Sequence, residues 1–156
     1  MAIKPTFQKG AVAAKVQEFQ KRLEAATVFL LQYMGEELTK YAREQHNYTD
    51  QTGNLTNSIG YAVVRNGMIV NYGGEIQPGD GAAEGLKVAM EMAKDYPNSV
   101  TLLIVAGMSY ASYVEAKGYN VIVPAYLLSL QEFPKYMQRL TEMARKKAQQ
   151  KFNVNI

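Results

Sequence analysis

Between Gly10 and about Gln45 the chain has no proline, and Val16, Phe19, Leu23, Ala26, Leu30 and Tyr33 recur at alternating steps of three and four. That spacing predicts a helix with one apolar stripe. Gln17, Lys21, Glu24 and Gln32, then Glu36, Glu37, Lys40, Arg43 and Glu44, supply its polar side. A helix of this length runs to about 50 Å. That is more than a small domain needs, so part of it is expected to project or to pack on a neighbouring subunit. Gly35 marks the point where the helix either bends or divides into two consecutive helices.

The polar run His46 to Asn54 closes this element as a structured loop and starts a short helix at Leu55 to Ser58. Ile59 to Val64 and Met68 to Tyr72 are rich in β-branched and aromatic residues, and Arg65-Asn66-Gly67 between them supplies the positive φ angles of a tight hairpin. Gly73 to Gly81 reads as a flexible excursion at the sheet margin. A helix follows, with Ala82, Leu86, Ala89, Met90 and Ala93 on one face and Glu84, Lys87, Glu91 and Lys94 spaced for ion pairs on the other. Val100 to Val105, apolar on both faces, predicts a central strand. Ser109 to Lys117 predicts a short helix ending at Gly118, and Tyr119 to Val123 a brief strand. Pro124 opens the last helix, whose apolar side carries Leu127, Leu130, Phe133, Met137, Leu140 and Ala144, with a kink expected at Pro134.

The length, 156 residues, suits one domain spanning 1–156, of a size that buries about 70% of its unfolded surface. The fold class expected is α+β, a small, mostly antiparallel sheet of about four strands packed against the long first and last helices. Met1 to Gly10 has no apolar run of the signal-peptide kind, and no segment approaches a membrane span, so the chain is expected to stay in the cytoplasm where it is made. Zero cysteines remove disulfides and thiolate metal sites from consideration. A net charge of +3 is too small to argue nucleic-acid binding by itself. The exception is the C-terminal stretch, where Arg139, Arg145, Lys146, Lys147 and Lys151 face only Glu142. A solvated helix end explains that excess, since cations suit the helix dipole there.

Chemistry finds little to hold. His46 is the sole histidine and has polar neighbours, which suits a cap or an exposed position better than a metal ligand. Ser58, Ser99, Ser109, Ser112 and Ser129 lie in no Gly-x-Ser-x-Gly elbow. The glycines from Gly73 to Gly85 lack the Gly-Lys-Ser/Thr ending of a phosphate loop and read as loop punctuation. Asp50, Glu75, Asp80 and Glu115 could hold magnesium only if folding gathered them. No enzyme and no cofactor are expected, and the eight methionines and eleven tyrosines suit core and interface contacts.

Two short elements carry a family resemblance. Thr52-Gly53-Asn54-Leu55-Thr56-Asn57-Ser58-Ile59 resembles the Thr-Gly-x-Leu-x-x-Ser-Ile element that follows the long first helix in the tail-completion, or head-tail joining, proteins of long-tailed bacteriophages. Tyr110-Ala111-Ser112-Tyr113-Val114-Glu115 with Gly118 is similar to that family's Tyr-Ala-x-x-Val-Glu-x-Gly, and Val123-Pro124-Ala125-Tyr126-Leu127 to its proline-containing entry into the last helix. The order of the elements agrees too. The Glu115 to Gly118 spacing is one residue longer than the family's, and a helix between Gly73 and Val100 is unexpected.

The resemblance implies a virion subunit in the tail or head-tail neck, a homo-oligomeric, hexameric ring that meets connector, head-closure, tail-terminator or tube proteins and no membrane. A tail terminator or head-closure protein is the near alternative. On physical grounds Thr52 or Asn54 can cap, Gly53 takes an unusual backbone angle, and Leu55 and Ile59 anchor the turn. Tyr110, Tyr113 and Val114 are expected to anchor the short helix, while Glu115 bonds either a nearby backbone or an adjacent subunit. A rival reading makes the chain a nucleic-acid-binding protein through its basic last helix, with Tyr136 and Phe152. Within a ring the two merge, since Arg145, Lys146 and Lys147 would then touch DNA in the lumen. The Gly73 to Gly81 loop is the segment expected to order on assembly.

Overall fold

The computed structural model describes residues 10–74 and 77–153, so the expectations for Met1 to Lys9 and for Glu75 lie outside the described residues. In chain order the elements are α1 (Ala11–Glu44), α2 (Asn54–Asn57), β1 (Ile59–Arg65), β2 (Met68–Gly73), α3 (Asp80–Ala93), β3 (Val100–Ala106), α4 (Ala111–Ala116) and α5 (Val123–Phe152). The fold is α+β with long first and last helices.

The described sheet has three antiparallel strands in the order β2-β1-β3, where the sequence predicts about four. Tyr119 to Val123 is not the fourth. Gly118 turns the chain at φ 88°, and the N–H groups of Val121 and Val123 are bound by the Glu115 carboxylate, which removes them from any ladder. The centre of the sheet is also displaced from expectation. Strand β1 is central and Val100–Ala106 is an edge.

Residues Ile59 to Val64 are all buried. Alternation sends Tyr61 and Val63 to a cluster with Leu31 and Met34 of α1, and Ile59 to a cluster with Leu38 and Ala42. Ala62 and Val64 face the other way, onto Ala89 and Ala93 of α3. Each fully buried aliphatic or aromatic side chain is worth about 1.5–3 kcal/mol, so β1 is the strand least tolerant of polar replacement. At its end, Asn66 and Gly67 take φ 53° and 82°, as the expected hairpin turn requires.

Helix α1 is continuous, and Gly35 lies within it. This glycine is a contact: a Cβ there would run into the Tyr61 ring, with Cε2 only 2.8 Å away. The Tyr61 hydroxyl then donates to Glu36 at 2.8 Å. The buried face is Leu31, Met34, Gly35, Leu38, Thr39 and Ala42, rotated from the predicted Val16 to Tyr33 stripe. That stripe turns toward α5 instead, where Phe19 and Tyr33 meet Phe152 and Tyr136 edge-on at 5.7 and 6.0 Å.

Helix α3 departs from prediction for a similar reason. Its buried positions are Gly81, Gly85, Ala89 and Ala93, while Leu86 and Met90 are exposed. Gly81 and Gly85 are thus helical contacts rather than loop punctuation. At Gly85 a Cβ would lie 2.6 Å from the Ser58 carbonyl oxygen, so only the smallest residue lets the helix approach. Helix α5 runs through Pro134 without ending, and Pro124 stands in its first turn. Among the described residues no helix is long and apolar enough to cross a membrane.

Two outcomes follow for stability. Gly35→Ala gains about 0.5–1 kcal/mol of helix propensity but overpacks Tyr61 at a cost of about 1–3 kcal/mol, so urea denaturation should show a net loss. Burial raises the hydroxyl pKa of Tyr48, Tyr61 and Tyr72, with the Glu36 carboxylate adding to the effect at Tyr61. Since each group loses its proton more readily unfolded than folded, this stability is present below about pH 10 and is lost as pH rises beyond it. Circular dichroism across an alkaline titration should show that decline, and Tyr61→Phe should make it shallower.

Candidate functional site

The two elements singled out in sequence meet in one place. Leu55 and Ile59 of the first are buried with Ala111 of the second, and with Tyr48, Val121 and Ala125. Val114 packs against the same cluster. Gly53, at φ 76°, is the N-cap of α2, and no side chain caps at that position. The cap comes from further back: Asp50 accepts from the Thr56 N–H at 2.8 Å, while Thr52 Oγ1 accepts from Asn54 N–H at 3.3 Å. Ser58 is buried and donates to the Leu55 carbonyl at 2.7 Å, and it also accepts from the Met108 N–H at 3.4 Å. That last bond ties the start of β1 to the segment leading into α4.

Glu115 bonds the nearby backbone, one of its two expected roles. Its carboxylate accepts from the N–H of Val121 and, at 2.6 Å, from that of Val123. The Val123 amide opens α5 and that of Val121 stands just before its N-cap Ile122, where backbone donors have no helical partners and a negative charge is favoured by the dipole. The extra residue before Gly118 therefore belongs to the turn that carries the chain from Glu115 to these amides. Tyr110 and Tyr113 are not anchors: both are exposed, and Lys117 Nζ lies 4.8 Å from the Tyr113 ring centre. Ala111 and Val114 do the anchoring, because they are the side chains of this short helix that reach the core.

The basic stretch is partly neutralised across the helix pair. Lys151 bonds Glu18 of α1 at 3.3 Å, and Glu18 also pairs with Arg22 at 2.6 Å. The hydrogen bond from Lys151, with Arg22 beside it, holds the Glu18 carboxyl below its ordinary range. Arg145, Lys146 and Lys147 are exposed. Being consecutive, they spread around the helix about 100° apart, so they form no single face. Lys147 lines an α1–α5 groove of about 460 Å³ with Phe19, Leu23 and Leu140.

His46 is exposed, as expected; its Nδ1 donates to the Arg43 carbonyl near the end of α1, and its ring lies against Tyr48. Among the described residues no three His, Cys, Asp or Glu side chains gather as metal ligands. The described flank of the glycine-rich excursion is pinned: Asn57 and Gln77 exchange two hydrogen bonds, of 2.6 and 2.7 Å.

The most unusual surface is one that the sequence reading did not single out. Val123, Tyr126, Leu127, Leu130 and Phe133, in the first half of α5, are 44–59% exposed. Val123, Tyr126 and Phe133 also form one wall of an apolar slot of about 560 Å³, with Val100, Leu102 and Ile104 of β3 opposite and Leu31 and Met34 of α1 behind. The spacing held a signal. These apolar positions cover more of α5 than one neighbouring helix can bury, which marks a second partner.

Glu115→Ala should destabilise the chain by about 1–3 kcal/mol, and Glu115→Gln by less, in thermal unfolding, while Tyr113→Ala should leave stability within about 0.5 kcal/mol. No protein-family model matches the chain, and no curated protein or solved structure shows significant similarity to it.

Proposed function

We propose that this chain is a non-enzymatic structural subunit of a tailed-phage virion, a ring component that completes the tail or joins it to the head. The observation that carries the assembly role is the exposed row from Val123 to Phe133 on α5. Contiguous apolar surface of this kind marks a contact that is made elsewhere. The phage assignment rests on the ordered Thr52 to Ile59 and Tyr110 to Gly118 elements and the Pro124 entry. Their packing into one cluster supports treating them as a unit.

The mechanism is stoichiometric. A folded subunit meets a surface exposed by the preceding assembly step, and burial of its aromatic and aliphatic side chains stabilises the joint. Connector, head-closure, terminator and tube proteins are the partners in this reading. Arg145, Lys146 and Lys147 stand available for a channel that passes DNA, and their spread around α5 makes that contact diffuse.

Particles lacking this protein should appear in electron micrographs as full heads and separate tails, with the gene lying between head-connector and major tail genes. A metabolic gene neighbourhood would overturn the reading. Leu127→Lys with Leu130→Lys should abolish joining while leaving the melting temperature of the purified subunit nearly unchanged, because both side chains are already exposed.

A further inference from the structure

The slot beside β3 is lined by uncharged side chains and lies along a sheet edge, and we infer that it receives an extended segment of a different protein chain as the fourth strand of the sheet. This inference names the kind of partner that the proposed assembly role requires and rests on that role. Strand β3 is an edge, and its seven residues Val100–Ala106 carry no charge and no proline. Its pairing with β1 runs without a break from Ile59↔Ala106 to Arg65↔Val100. Nothing within the strand blunts it. The opposite edge is different, because the β1–β2 register shifts between Val63 and Val64, leaving Val70 without a partner opposite. A bulge of that kind protects an edge from further pairing, whereas a flat apolar edge templates another strand.

The helix layer gives the second argument. Helix α1 packs across β1 and β3, and α5 packs beside α1, facing β3 across the slot. Two neighbouring helices cover about 20 Å, the width of about four strands spaced about 4.8 Å apart. Among the described residues three strands are present, and none of them takes the place beneath α5. Tyr126 and Phe133 roof that place, while Leu102 and Ile104 form its flank.

The occupant follows from these walls. The unpaired N–H and C=O groups along an edge repeat at the spacing of extended backbone, so an added strand bonds them in one continuous ladder. The slot-lining residues are uncharged, so every second side chain of the incoming strand is apolar. Edge-to-edge pairing of two copies would set their β3 strands about 4.8 Å apart and bring each α5 toward the other's sheet, where packed helices need about 8–10 Å of separation; that crowding favours an occupant other than a second copy. A strand without its own helical cover, as an extended arm provides, fits beneath the roof.

The test uses the full chain with a capped heptapeptide alternating Thr and Val, and a control peptide with proline at its centre. Hydrogen exchange should show the alternate amides of Val100–Ala106 that face away from β1 slowed about tenfold or more by the first peptide and unaffected by the control. Tyr126→Lys with Phe133→Lys should weaken that binding about tenfold or more, a loss equal to about 1.4 kcal/mol, with the fold retained. Absence of slowing at millimolar peptide, or equal slowing by the control, overturns the inference. So does slowing that grows with protein concentration when no peptide is present, which assigns the edge to a second copy. Unslowed amides together with separated heads and tails in the deletion would remove strand addition and leave the neck role standing. Slowed amides with a metabolic gene neighbourhood would do the reverse.

Discussion

Everything in this molecule is arranged around the burial of β1 on both faces. A strand with Tyr61 and Val63 on one side and Ala62 and Val64 on the other cannot be served by a single helix layer. It therefore imposes two close approaches. One is α1 over Tyr61, where Gly35 removes the Cβ that would strike the ring; the other is α3 over the start of β1, where Gly85 does the same against Ser58. The small residues Gly81, Gly85, Ala89 and Ala93 on the inner side of α3 follow from that distance. So does the outward placement of Leu86 and Met90.

The same constraint explains how the two short motifs hold together. Ser58 stands immediately before β1, and its hydroxyl accepts from Met108 at the approach to α4. Leu55, Ile59 and Ala111 fill the cluster between them. Glu115 then binds the amides at and just before the start of α5, setting that helix's starting point and hence the position of Tyr126 and Phe133 above the slot. A carboxylate with no contact to the apolar surface thus helps position it.

Much of this was legible in the residues. Asn66-Gly67 specified the hairpin, the unbroken apolar spacing specified α1 and α5, and the short α2 and α4 fell where their turn residues place them. The failures share a cause. Periodicity reports which faces of an element are covered and says nothing about its edges, so the doubly apolar Val100 to Val105 was read as central when β1 holds that position. For the same reason the Val16 to Tyr33 stripe does not tell which element covers it; part of it meets α5, through Phe19 and Tyr33. The Tyr119 to Val123 strand failed because its amides are bound by a side chain several residues earlier, and the partner was visible in sequence only as a motif glutamate. The exposed row on α5 was legible as spacing and was absorbed into a generic apolar side.

The pairing of Phe19 with Phe152 and of Glu18 with Lys151 joins the first helix of the fold to the last, well away from the central strand. Neither half-helix has a sheet to lean on there, so each shields the other's apolar seam and backbone. A protease cut in one would bare its counterpart, and both would be trimmed back together toward Thr27 and Met137, where the slot begins. Limited digestion of this molecule thus has a natural stopping point, and a fragment shortened from both sides would retain the sheet.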